Sequence, residues 1–259
     1  MDLFTIIQSS LGVFLLIFVR ISGIFIVTPI FGSRNIPVYI KAGLALAISM
    51  ILFPIVSQTN VVLPENVLLF TFMMISELMV GWIIGYASSF VFSAVHMAGQ
   101  LLDTQVGFGI VNVFDPQSGQ QVPLIGNFKY ILALIVFLIT NSHHLLLIAL
   151  FNSFKIIPIT GVVFNTALTG IIVDMVWGIF SIALKISLPV LVSLLLTDIA
   201  LGILARTMPQ MNIFVVGVPG KIIVGIFVLS LALPFYILFL EVAFNGMFTN
   251  IYKLLENFK

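Results

Sequence analysis

Six apolar segments fill most of this chain: Leu3–Ile30, Ile40–Val56, Val67–Leu102, Phe128–Phe151, Leu168–Ala205 and Ile222–Phe248. About 20 apolar residues suffice for one membrane crossing. Every segment but the second reaches or passes that length, and Val67–Leu102 and Leu168–Ala205 far exceed it. These two are expected to tilt, break or run on beyond the bilayer. Pro189 inside the longer one removes a backbone donor there. The chain is 61% hydrophobic and 7% charged, with a mean hydropathy of +1.28. Together these predict an all-α integral membrane protein, read here as one helical domain over residues 1–259 with six crossings.

One run breaks the pattern. Gly107-Phe-Gly-Ile-Val-Asn-Val-Phe-Asp-Pro-Gln-Ser-Gly-Gln-Gln-Val-Pro123 is polar and glycine-rich. Such a run cannot be helix facing lipid, so it sits in water, lines a polar cavity or packs inside protein. It makes 106–123 the first candidate for a working part, a central non-helical loop. Its glycines permit unusual backbone angles, and Phe108, Ile110, Val111, Val113 and Phe114 can seal against a wall. The plainer alternative is an ordinary connection. Other connections carry turn chemistry: Gly32–Pro37, Ser57–Pro64, Pro158–Gly161, Met208–Asn212 and Gly217–Lys221.

The charges well inside the apolar segments are Arg20, Glu77, Asp174, Lys185, Asp198 and Glu241. Each costs roughly 2.5–3.5 kcal/mol at a bilayer centre on insertion scales, so they face protein or water. One reading is an ion or proton path. The other is buried polar contact between subunits, which suits Arg20, Glu77, Asp174, Lys185 and Asp198, with Arg206 beyond the segment end. Asp174 and Lys185 share a helix face but lie roughly 16 Å apart along it, so neither can pair with the other on a straight helix. Gly81 and Gly85 make a Gly-xxx-Gly step suited to close helix packing.

Several functions lose support. Net charge is +1, so no basic surface is available for nucleic acid. The absence of cysteine excludes disulfides, thiolate metal sites and a cysteine nucleophile. His96, His143 and His144 lack metal-ligand spacing, and neither His-Glu-x-x-His nor Gly-x-Ser-x-Gly occurs. No enzyme and no cofactor is expected. Asp2 stands where a secretory signal would be basic, so the first apolar segment is expected to be retained. The tail 244–259 is amphipathic, with Phe244, Met247, Phe248, Ile251, Leu254, Leu255 and Phe258 at helical spacing. It is suited to a membrane surface or to a partner helix.

Three stretches together resemble one family. They are Arg20–Pro37 (RISGIFIVTPIFGSRNIP), then Phe114–Pro123 with Asn141–Leu145 and Ser153–Pro158, then Leu204–Asn212 (LARTMPQMN) with Gly217–Lys221. In this order and spacing the chain is similar to the FliR/SctT family of type III export-gate membrane proteins. The resemblance implies intertwined helical hairpins, a FliP-like part joined to a FliQ-like part. It implies a non-enzymatic subunit that helps form and close an inner-membrane channel for unfolded flagellar proteins at the flagellar basal body. The implied partners are FliP-like and FliQ-like subunits and an FlhB-like switch protein, in contact with membrane lipid. Much of such a gate rises out of the bilayer, which leaves the count of six crossings open. The family's plug loop falls on Gly107, Phe108, Gly109, Ile110, Val111, Asn112, Val113, Phe114, Asp115 and Pro116. A virulence-secretion subunit and a secondary transporter are the alternatives.

Overall fold

The computed structural model describes residues 3–33, 35–57, 63, 64, 66–108, 123–163, 165–210 and 212–258. Seven helices appear among them: α1 (Leu3–Val27), α2 (Val38–Val56), α3 (Val67–Val106), α4 (Leu124–Ile139), α5 (Ser142–Ile156), α6 (Thr166–Thr207) and α7 (Ile213–Glu256). No strand occurs among the described residues, so the protein is an all-α integral membrane protein. Helices are the consequence of composition: in lipid, each peptide group must find its partner within its own segment. Five helices are long and apolar enough to cross a membrane, six spans if α4 and α5 count as one.

The overlong segments are continuous helices. α3, α6 and α7 hold 40, 42 and 44 residues, about 60 Å or more each at the usual rise, or roughly twice a hydrocarbon core. Pro189 lies inside α6, and Pro219 and Pro234 inside α7. Two sequence expectations change here. Gly217–Lys221 reads as a turn but is helical: α7 runs through Pro219, which leaves the Val215 carbonyl without its helical donor. The fourth apolar segment is interrupted, since Asn141 adopts the left-handed conformation (φ 55°) between α4 and α5.

The chain packs as two compact units, each drawn from separate stretches. The first comprises Met1–Phe90, Asn141–Val176 and Asn245–Lys259. Here α1 packs on α2, with Phe14 and Phe53 edge to face, and on α3 through glycines. A Cβ at Gly23 would lie 2.7 Å from the Leu78 carbonyl oxygen, and one at Gly81 would strike the Arg20 carbonyl. The Gly-xxx-Gly step therefore serves packing within the chain. The tail is buried here as well: Met247, Phe248, Ile251, Leu254, Leu255 and Phe258 are all inside. Tyr252 Oη accepts from Asn152 Nδ2 of α5 at 3.0 Å, and the Phe258 carbonyl accepts from the Val163 N–H at 3.0 Å. The helix partner that the amphipathic tail needs is therefore α5 of the same chain.

The second unit comprises Val91–Thr140 and Trp177–Phe244. Phe92, Phe137 and Phe244 form a ring cluster with centroids 5.1–5.5 Å apart. A second core joins Leu102, Val106, Ile125, Val190 and Leu194.

Candidate functional site

α3 runs directly into the polar run, and its ending is built for a sharp exit. Gly107 has φ 99°, a conformation that side chains other than glycine's resist. The next N–H, of Phe108, donates to the Asp103 carbonyl at 3.1 Å. This six-to-one closure, with a left-handed glycine before it, satisfies a carbonyl that the helix would leave open. The apolar contact that usually accompanies it is also present, because Phe108 packs on the Leu102–Val106–Ile125–Val190–Leu194 core.

The chain re-enters at Pro123, and α4 begins with amides that have no helical acceptor. Asp103 supplies one. Its Oδ1 accepts from the Ile125 N–H at 2.9 Å and its Oδ2 from the Gly126 N–H at 3.0 Å. The carboxylate is 6% exposed, and its negative charge suits a helix N-terminus. Gly99, one turn earlier on the same face of α3, allows the approach: a Cβ there would overlap Gly126 Cα. Asp103 thus fastens both ends of the run, by its backbone carbonyl at the exit and by its side chain at the re-entry. Sequence reasoning missed it, because the apolar segment ends at Leu102 and Asp103 reads as the edge of a connection. The available signal was Gly99-x-x-x-Asp103, a small residue and an acceptor on one helix face. Of the expected loop residues, Gly107 and Phe108 are placed here. Gly109, Ile110, Val111, Asn112, Val113, Phe114, Asp115 and Pro116 lie outside the described residues.

A polar network secures the same end of α3. Gln105 Nε2 donates to Asp198 Oδ2 at 3.1 Å. Lys221 Nζ reaches Asp198 Oδ1 at 2.8 Å and Oδ2 at 2.9 Å. The last turn of α3 is thereby tied to α6 and α7. Asp198, expected at a subunit interface, has partners within its own unit. Lys221 belongs to a stretch singled out in the sequence, but its pairing could not be read from spacing across a turn.

Arg20 and Glu77, expected at a subunit interface as well, also find partners within their own unit. Both are fully buried in the first unit and pair with each other, so neither presents an atom to a partner. Arg20 Nε donates to Glu77 Oε2. Arg20 Nη1 donates to the Ile157 carbonyl at 3.0 Å, and its guanidinium lies 4.4 Å from the Phe154 ring centroid. Glu77 Oε1 accepts from the Thr160 N–H at 3.2 Å. The pair clasps the turn after α5, where Thr160 has φ 72°. By contrast, Asp174, Lys185 and Arg206 are exposed, and none makes an ion pair among the described residues. No cluster of three His, Asp or Glu side chains among the described residues is placed to hold a metal ion.

Comparison with known proteins follows this frame along nearly its whole length. Residues 11–247 match the family described as bacterial export proteins, family 1. The flagellar biosynthetic protein FliR of Bacillus subtilis (strain 168) is 41% identical over 220 residues, 83% of this chain and 84% of that protein. The chain belongs to the FliR family of bacterial export proteins. Similarity to other FliR proteins is broad: 30% over 229 residues with that of Escherichia coli (strain K12), covering 88% of this chain and 87% of that one. The FliR protein of Aquifex aeolicus (strain VF5) is 26% identical over 251 residues, 97% and 95% of the two chains. These relatives are named for flagellar biosynthesis and not for a reaction. Membership in the FliR family, with five helices able to cross a membrane, makes this chain a membrane component of flagellar protein export.

Proposed function

We propose that the chain is the FliR-type structural subunit of the flagellar type III export gate. In this role it helps form, and at rest close, the inner-membrane channel for unfolded flagellar proteins. Its partners are FliP-like and FliQ-like subunits, with an FlhB-like switch protein alongside. The observation that carries the reading is the match over residues 11–247, in a chain whose charged outer surface is incomplete by itself. Asp174 lies exposed within the apolar stretch of α6, and Arg206 lies exposed in its last turn. An uncovered charge facing lipid is costly, which favours covering by other chains. The anchoring of residues 107–108 and 125–126 by Asp103 supports a plug role for the run between them, since both of its ends are held. A secondary transporter has less support, since the relatives carry flagellar names. The same names favour flagellar over virulence use.

The test is affinity purification of a tagged chain in mild detergent, with the co-purifying subunits identified by mass. FliP-like and FliQ-like chains in fixed ratio are expected, and Arg206→Glu is expected to lower their yield. A lone chain or a homo-oligomer would overturn the reading and favour a transporter.

A further inference from the structure

The second unit holds a half-open cavity of about 360 Å³ between α4, α6 and α7. Its walls are apolar, including Pro189, Phe235 and Phe239, apart from two lysines and a tyrosine: Lys129, Lys185 and Tyr236. No carboxylate among the described residues lines it. Lys129 is 3% exposed, its ammonium 4.9 Å from the Tyr236 ring centroid, and it makes no ion pair among the described residues. The Tyr236 hydroxyl donates to the Lys129 carbonyl at 2.8 Å, which fixes the ring under the ammonium. Lys185 is exposed at the rim and likewise lacks an ion-pair partner among the described residues. Pro189 stands four residues after Lys185 on the same face and withholds the helical donor from the Lys185 carbonyl.

Two cations in an apolar recess, with no carboxylate among the described residues that line it, call for an anion from outside. In a membrane chain each would otherwise stand unpaired at a cost of a few kcal/mol. The apolar walls argue against a small free anion, which would gain nothing from Phe235 or Phe239. The wall that α7 contributes, from Val228 to Phe239, extends three turns and suits a hydrocarbon chain. We propose that this cavity binds an anionic phospholipid, its phosphate between Lys129 and Lys185 and an acyl chain along α7. Lys185 then finds its counter-charge in lipid and not in a neighbouring subunit. Basic pockets between membrane helices bind lipid headgroups by this physics.

The test uses the full chain, purified and delipidated in neutral detergent. Phosphatidylglycerol and phosphatidylcholine with identical acyl chains are titrated separately, and bound lipid is counted by native mass spectrometry. Phosphatidylglycerol should bind more tightly by about fivefold for each lysine engaged. Lys185→Glu, at an exposed position that should not impair folding, should remove most of that preference. Lys129→Gln should weaken it further wherever the variant still folds. Equal affinity for the two lipids, or a preference unchanged by Lys185→Glu, would overturn the proposal. So would displacement of the lipid by millimolar inorganic phosphate, which would mark a free-anion site. A photo-reactive residue at position 185 that labels an acidic helix of a co-purified subunit in the assembled complex, instead of lipid, would overturn it as well.

Discussion

Replacing Glu77 with glutamine should unfold this chain more readily than almost any other change of one atom. Gln keeps the shape of the side chain and still accepts from the Thr160 N–H. What it removes is the negative charge opposite Arg20, which has no solvent exposure. Breaking one partner of a buried pair costs about 3–5 kcal/mol, because the remaining charge is left uncompensated. The π face of Phe154, 4.4 Å away, meets the guanidinium in parent and variant alike, so the loss stays at about 3–5 kcal/mol. That is a drop of roughly 140- to 3,700-fold in the ratio of folded to unfolded chain. Arg20→Met should cost a similar amount, since it strands the carboxylate and frees the Ile157 carbonyl. The double variant Arg20→Met/Glu77→Gln carries no buried charge and should lie within about 2 kcal/mol of the parent. SDS-titrated unfolding of the purified chain in micelles would give all four corners of the cycle. A double variant as unstable as the sum of the two singles would refute the reasoning, because it would show that the two groups act separately.

Asp103→Ala strips the acceptor from the Ile125 and Gly126 N–H groups and should cost about 2–4 kcal/mol. Asp103→Asn, which keeps one oxygen, should cost less, and faster hydrogen exchange at residues 124–127 would report both. In the assembled gate, deleting residues 109–116 should make the membrane leak ions, and a tight membrane would count against the plug. Gly99→Ala places a methyl on the α4 backbone at Gly126 and should destabilise by about 1–3 kcal/mol, read as a lowered unfolding midpoint.

The sequence made the helices legible and left their partners obscure, for a physical reason. Apolar runs specify helix wherever lipid or protein surrounds them, so α1, α2, α3 and α6 could be read nearly to their ends, whereas α7 starts nine residues before the segment Ile222–Phe248 and ends eight after it. They say little about which face meets which neighbour, since nearly every face is apolar. The break at Asn141 was missed although it lies in the polar run Thr140-Asn-Ser-His-His144 and asparagine tolerates the left-handed conformation. Lys129, second in its apolar segment, reads as a lysine at the membrane edge. α4, however, begins at Leu124 and carries it more than a turn inward, over the Tyr236 ring. Pro219 between two glycines reads as a turn because its local chemistry is that of a turn, and only the extent of α7 on either side makes it helical.

Polar residues carry the information that apolar ones lack, and two kinds among them stand out. Arg20, Glu77 and Asp103 are at most 6% exposed, and each is bound by groups of its own unit. Asp174 and Arg206 are exposed and make no ion pair among the described residues. A charge of the first kind contributes to the folding of the isolated chain, since its partner is covalently part of the same chain. One of the second kind adds little until another chain arrives. Substitution therefore separates the two by the stage at which loss appears. Changes at Arg20, Glu77 or Asp103 should reduce folded chain before any partner binds. Changes at Asp174 or Arg206 should leave the isolated chain intact and reduce only what assembles on it. A variant of Arg206 that lowered the stability of the isolated chain would place that residue in the fold and remove it from the interface.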